Sequence, residues 1–249
     1  MIYYRTIYPE RMAGAMLDEG LAHGWYRITQ SFITTDLISY EDKLAPVFWL
    51  RIDLRRYKPS RSARRIVAKN SGYAVAIKPF AITTEIENLY QIYRQSIDFP
   101  ISESVAEYLL DGGPANAFDS HLIEVRVAGR LVAVGYFDVG ERTATGILHF
   151  YDPALNRASP GKYLFLIEIA YSLERNFDYY YMGYLSVGNA KFDYKLFADP
   201  QSTEVYLRPG NKWLPYEPNA PKILRWGKKI SDTANRLYKL DLAPDESQS

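Results

Sequence analysis

Residues 58–70, KPSRSARRIVAKN, gather Lys58, Arg61, Arg64, Arg65 and Lys69 around Ser60 and Ser62. The preceding RIDLRRY adds Arg51, Arg55 and Arg56 against one acid, Asp53. Guanidinium groups pair bidentately with phosphate, and serine hydroxyls donate to the remaining phosphate oxygens. In a chain of formal net charge +1 such a run is a local polyanion site, since the global charge points to no polyanion. An ordinary solvated helix face is the alternative that charge alone leaves open. A second anion site is read at Ser159, Gly161 and Lys162, where a helix begins and its first backbone N–H groups lack intrahelical acceptors. A plain helix cap is the alternative there. The basic residues Lys222, Arg225, Lys228 and Lys229 near the C-terminus are read as a solvated face.

Other chemistries are bounded by what the 249 residues contain. There is no cysteine, which removes disulfides, thiolate zinc sites and cysteine-ligated clusters. Only three histidines occur, His23, His121 and His149, too scattered for a His-rich site, so no metal and no cofactor are expected. The start, MIYYRTIYPERMAGAML, carries no basic start followed by a long apolar run. Neither a signal peptide nor a membrane span is expected, and a cytoplasmic protein follows.

The elements that must hold these residues are read from pattern. Helices are expected over 9–23, from about Ala63 with Ser60 or Ser62 as cap, and from Thr84, where TEIE reads as a capping box with Glu87. A second capping box, Ser104 with Glu107, opens another helix, stopped at Asp111-Gly112-Gly113. Strands are expected over 25–34 and 47–54. HLIEVRV and RLVAVGYFDV alternate around Ala128-Gly129 and read as a hairpin, with TGILHFYD as its third strand, closed by Asp152-Pro153. Residues 160–176 read as a helix with Ser159 as cap and Pro160 first. A strand over 178–185, a short helix over 191–197, a strand over 202–208 and a basic helix over 221–240 complete the reading. This order gives an α/β fold with a mixed sheet flanked by helices. The division expected is 1–75, an N-terminal strand-containing region with the basic motif; 76–215, the main layered domain; and 216–249, a basic helix and tail.

That layered order resembles the GCN5-related N-acetyltransferase fold, in which two central strands part to admit an acyl donor. The motifs resemble a narrower family: the arginyl-tRNA–protein transferases and their bacterial leucyl-tRNA–protein transferase relatives. KPSRSARRIVAKN, RLVAVGYFDV, HFYDP (149–153), PGKYLFLIEI (160–169), YYYMGY (179–184) and NAKFDYKLFADP (189–200) resemble that family's signatures in order and spacing, from about Gly24 to about Trp213. One departure is large. The family's N-terminal cysteine cluster is replaced by SFITTDLISYEDKLAPVF, so no metal or redox role of that cluster operates in this chain.

The resemblance implies an aminoacyl-tRNA–protein transferase. It takes aminoacyl-tRNA as co-substrate, and an acceptor protein or peptide, with an acidic N-terminus, receives the amino acid. The ester is already activated and an α-amine has a pKa of roughly 8, so alignment of amine and ester suffices without a strong base or metal. Asp138 and Tyr184, with Asp152 beside them, are then expected at the reacting ester. Arg61, Arg64, Arg65, Lys69, Ser159, Gly161 and Lys162 are expected on tRNA. Arg157, Lys191 and Lys195 are expected to meet the acidic acceptor. An acetyl-coenzyme A-dependent acetyltransferase is the alternative, disfavoured because RASPGKY lacks the usual pyrophosphate-binding glycines. A non-catalytic RNA-binding relative is the other. Oligomeric state is not legible.

Overall fold

A hairpin turned at Ala128-Gly129 lies in the main sheet, one strand in from its edge. In the computed structural model, which describes residues 3–40, 43–186, 195–208 and 210–241, strand β7 (Ser120–Val127) pairs antiparallel with β8 (Arg130–Val139). Both turn residues take positive φ, 48° and 82°, the geometry that such a two-residue turn needs. β8 pairs in turn with β9 (Thr143–Tyr151). Beyond these lie β6 (Ala74–Pro79) on one side and β10 (Tyr179–Ser186), β5 (Lys43–Asp53), β11 (Thr203–Leu207) and β12 (Lys212–Pro215) on the other. With β4 (Leu37–Tyr40) paired to β5, this sheet has nine strands among the described residues. It is mixed: β9 and β10 run parallel, and the other pairs are antiparallel. β5, from the N-terminal region, thus lies inside the sheet between β10 and β11.

Helices cover both faces. One face packs Phe137, Tyr180, Leu50 and Ile52 against α5 (Pro160–Glu174), α2 (Arg61–Lys69) and α6 (Tyr216–Asp241). α2 contributes Ala63 and Ile66, the positions that leave its cations outward. The other face packs Val134, Tyr136 and Phe150 against α3 (Thr84–Arg94) and α4 (Val105–Leu110). A small sheet, β1 (Tyr4–Ile7), β3 (Ser31–Thr35) and β2 (Tyr26–Ile28), packs with α1 (Gly14–Ala22) near Tyr181 and Phe118. Among the described residues no helix is long and apolar enough to cross a membrane.

Several local expectations are corrected. The strand expected over 25–34 is the hairpin β2–β3, because Thr29 turns the chain at φ 54° without a glycine to announce it. The cap of α3 is Thr83, whose hydroxyl accepts from Ile86 N at 3.3 Å. Glu87 instead reaches across to α4 and accepts from Val105 N and Ala106 N, both at 3.0 Å. Ser159 is left-handed, at φ 57°, and its side chain makes no cap bond. A 3-10 turn, Pro153–Ala158, feeds directly into α5 and sets that conformation. The helix expected over 191–197 falls largely outside the described residues.

Candidate active site

Strands β9 and β10 pair for only three positions, Thr143, Ala144 and Thr145 against Tyr179, Tyr180 and Tyr181. They part at Gly146. β10 is pulled away by a bulge between Tyr181 and Tyr184, where Gly183 takes φ 79°. The parting exposes carbonyls that a continuous sheet would consume. The Tyr26 hydroxyl donates to the Gly146 carbonyl, and the Tyr108 hydroxyl lies 3.4 Å from the Ile147 carbonyl. Below Gly146, the Tyr180 hydroxyl donates to Glu168 Oε2, and His149 Nε2 stands 2.7 Å from Glu168 Oε1. A Cβ on Gly146 would lie 2.6 Å from that hydroxyl and 2.7 Å from that carboxylate, so the buried polar pair requires glycine there.

Tyr184 lines the same gap. It meets Trp49 edge-on with ring centres 5.7 Å apart, and Trp49 stacks on Tyr26, also at 5.7 Å. Burial pushes the Tyr184 phenol above its ordinary range, with Tyr108 adding to the shift, so it stays protonated as a donor. Lys195 Nζ donates to the Tyr184 carbonyl at 2.9 Å and sits 4.9 Å from the ring centre. Removal of that ammonium from water brings Lys195 down to about 7. Gly183 gives it room, since a Cβ there would lie 3.1 Å from Nζ. The arrangement offers phenol donors and a titratable amine around a slot between strands.

The other expected reacting groups are placed differently. Asp138 does not face the gap. It is wholly buried, 2.9 Å from Arg27 Nη1 and 2.5 Å from the Ser120 hydroxyl, and Arg27 is itself held by the Leu109 carbonyl at 2.7 Å. Burial pushes the Asp138 carboxyl up, with Arg27 opposing. The pair fastens β2 to β8, so Asp138 positions the wall that carries Tyr26. Asp152 caps the 3-10 turn through Ala154 N at 2.9 Å and pairs with Arg130 at 2.6 Å, whose hydrogen bond holds its carboxyl below the usual range. It is the turn-forming group of an Asp-Pro pair.

The cations converge instead. Arg61, Arg64, Arg65 and Lys69 are exposed along α2. Ser60 caps α2 through Ala63 N at 3.0 Å and donates to the Phe197 carbonyl at 2.7 Å. Lys69 Nζ donates to the Arg157 carbonyl, and Asn70 Nδ2 to the Ala158 carbonyl at 2.9 Å. α2 is therefore laced to the start of α5, which brings the two segments read from the sequence as candidate anion sites side by side. Arg157 stands with them by position, beside Lys69. Lys191 lies outside the described residues. No cluster of three or more acidic or histidine side chains fit to hold a metal occurs among the described residues. Tyr26, Tyr108 and Arg27 had escaped the sequence reading. Arg27 alone left a signal, a charge at an otherwise apolar strand position.

Residues 85–204 match the family model described as arginine-tRNA-protein transferase, C terminus. An aspartate/glutamate leucyltransferase of Pseudomonas fluorescens strain Pf-5 is 32% identical over 66% of this chain and 69% of its own length. One from Leptospira interrogans is 26% identical over 83% of this chain and 81% of its own. Among solved structures, the C-terminal domain of a putative lysylphosphatidylglycerol synthetase from Agrobacterium fabrum aligns at TM-score 0.43 and 13% identity, over 77% of this chain and 57% of that one. A GCN5-related N-acetyltransferase from Kribbella flavida aligns at TM-score 0.35 and 14% identity, over 80% of this chain and 58% of its own. The chain spans little over half the length of those two, and scores so low carry nothing about activity. The sequence matches do: this chain belongs to the aminoacyl-tRNA–protein transferase family.

Proposed function

We propose that the protein moves an aminoacyl group from charged tRNA to the α-amine of a protein that begins with Asp or Glu, and that the group is leucyl. The names of its relatives supply leucine and the acidic acceptor. The observation that carries the reading is the parting of β9 and β10 at Gly146, ringed by Tyr26, Tyr108, Tyr184 and Lys195.

In the transfer, the amine nitrogen bonds to the ester carbonyl carbon, and the carbonyl electrons move onto oxygen. They return as the carbon–oxygen bond to the ribose breaks. The ribose oxygen leaves with a proton, and the amine gives one up. A protonated phenol at Tyr184 stabilises the developing oxyanion. Lys195 answers the acceptor's carboxylate. That pairing raises its affinity for a proton, which the acceptor's own ammonium supplies, leaving the amine neutral and nucleophilic. Asp138 serves through Arg27 by holding the Tyr26 wall. Arg61, Arg64, Arg65, Lys69, Arg157, Gly161 and Lys162 take phosphates. Residues 1–75 supply the α2 cations and the Tyr26 wall, 76–215 the parting strands with the phosphate contacts at Arg157, Gly161 and Lys162, and the basic helix of 216–249 further contact. No cofactor beyond aminoacyl-tRNA is invoked, and the work is assigned to the cytoplasm, where charged tRNA is made.

The test is incubation with leucyl-tRNA and arginyl-tRNA, labelled in the amino acid, and peptides beginning with Asp, Glu, Arg or Ala. Label on the Asp and Glu peptides from leucyl-tRNA is expected. Label from arginyl-tRNA alone would change the donor. Acetyl transfer from acetyl-coenzyme A with no aminoacyl transfer would overturn the reading.

A further inference from the structure

The sheet parts a second time. β11 pairs with β5 at Thr203–Ile52, Glu204–Arg51 and Val205–Leu50, and there the ladder stops. β5 pairs with β4 only from Pro46, against Leu37. Val47 N still donates to the Asp36 carbonyl at 2.9 Å, and beyond it Phe48 and Trp49 lie opposite Tyr206 and Leu207 past the last ladder pair. α6 roofs this stretch with Trp226, Lys229, Ile230 and Thr233, one helical face at i, i+3, i+4 and i+7. The result is a slot of about 540 Å³ in which Trp226, part-exposed on α6, offers the aromatic face, while Phe48, Trp49 and Tyr206 are 4–6% exposed in its walls. Its Trp49 is only 4% exposed, yet the indole Nε1 has no hydrogen-bond partner among the described residues. Ile230, 37% exposed, stands at the mouth.

The surroundings of the slot select its occupant. Along α6, Arg225, Lys228, Lys229 and Arg236 line one concavity against a single acid, Asp232. The other acid at the mouth, Asp36, is neutralised by Arg208 at 2.6 Å. Arg225 to Arg236 spans about 16 Å of helix at 1.5 Å per residue. One or two carboxylates of a peptide terminus cannot engage cations spread so far; a chain of phosphates can. An accessible aromatic face such as Trp226 beside a cationic ridge is the combination that holds unpaired nucleotides, because every base offers a π-face. The slot also shares Trp49 with the transfer site, where that ring meets Tyr184. We infer that the slot takes an unpaired base from the 3′ end of the tRNA substrate, with the adjoining phosphates on Arg225, Lys228, Lys229 and Arg236. The inference rests on the tRNA reading above and adds a place for a base that is not the one carrying the ester.

The experiment measures affinity of the full chain for deacylated tRNA and for the same tRNA trimmed of its unpaired 3′ nucleotides, at one fixed salt concentration. Trp226→Ala and Thr233→Phe, the second filling the slot from an exposed helix position, are each expected to weaken intact tRNA by about tenfold, and Trp226→Phe by less than about threefold. The parent is expected to bind trimmed tRNA about tenfold more weakly than intact tRNA, and all variants to bind the trimmed form as the parent does. Unfolding midpoints accompany each measurement, and Thr233→Phe keeps the test decisive if Trp226→Ala fails to fold. Equal losses on intact and trimmed tRNA would overturn the inference. So would variants that keep parental tRNA affinity while losing affinity for phosphatidylglycerol vesicles or for an Asp-initiated peptide. If the parent binds neither tRNA, the proposed function falls with it; if the parent binds and only the variants are insensitive, the slot alone is wrong.

Discussion

Replacing Lys195 by Met tests whether an amine is held out of water beside Tyr184 at the gap between β9 and β10. Lys195 is brought from 10.5 to about 7 by burial. Its folded value lies below its unfolded one, so between those pH values the unfolded chain binds a proton that the folded chain refuses. Stability therefore rises with pH across that window, and the cost is fully present below about 7. From pH 6 to pH 10 the lysine's contribution improves by about 4 kcal/mol for a group fully removed from water, and by about half that here, where the side chain as a whole is only partly buried. Lys195→Met removes this dependence. It also loses the charge-assisted bond to the Tyr184 carbonyl, about 1.5–3 kcal/mol at a pH where the amine is charged. Only the change with pH is diagnostic. Urea unfolding of parent and variant at pH 6 and pH 10 is the assay. The difference, parent minus variant, is expected to move in the parent's favour by about 2 kcal/mol on going to pH 10. Tyrosine titrations are common to both chains and cancel. An unchanged difference would mean that the amine is solvated at the gap, and the proton transfer proposed for it would lose its basis.

Arg61→Ala, Arg64→Ala and Arg65→Ala are each expected to weaken tRNA binding, and the triple variant to reduce the salt slope by about 2–3; a parental slope would remove α2 from the interface. Gly146→Ala drives a methyl into the Tyr180–Glu168 pair and is expected to cost about 1–3 kcal/mol, read as a lower unfolding midpoint; an unchanged midpoint would contradict the close approach. Asp138→Asn leaves Arg27 buried and uncompensated, at a cost of about 3–5 kcal/mol in chemical denaturation, and the double replacement Arg27→Met with Asp138→Leu recovers most of it. Asp199→Ala frees the backbone N–H of Lys58, held at 2.9 Å, and is expected to lower turnover at saturating tRNA more than tRNA affinity; the reverse ratio would show that the seat of α2 matters only for binding.

What the sequence disclosed depended on how local the determinant was. The β7–β8 hairpin was legible because Ala128-Gly129 states its turn within two residues. The Ser104 cap was legible for the same reason, and for α2 the pattern offered Ser60 or Ser62, of which Ser60 caps. β6 left no trace, since an edge strand exposed at almost every position needs no alternation. Thr29 turned a strand into a hairpin by a conformation that its residue type does not advertise. The site was half legible. YYYMGY marked the strand, and its glycine is the bulge that opens the gap. Tyr26 was hidden because its partner, Gly146, is 120 residues away. Asp138 was misplaced because alternation gives a face, and that face belongs to Arg27.

Transfer of an activated ester to an amine asks little of side-chain chemistry and much of alignment, which supplies about 7–11 kcal/mol when the reacting atoms are held in place. This fold fixes the alignment through one short segment. Residues 195–199 carry Lys195 at the Tyr184 carbonyl, and next to it Phe197, Ala198 and Asp199, whose oxygens hold Ser60 and Lys58 at the start of α2. The helix that presents the cations and the buried amine beside Tyr184 are therefore pinned to the same five residues. β5 makes the second link: Trp49 packs on Tyr184, and four residues on, about 13 Å along the strand, Asp53 leads toward α2. In the proposed transfer, a tRNA held by its phosphates on α2 has its aminoacyl end set against the gap by these covalent and hydrogen-bonded links. Nothing in that proposed path from phosphate to ester passes through residues 31–48, which stand where the resemblance would place a cysteine cluster.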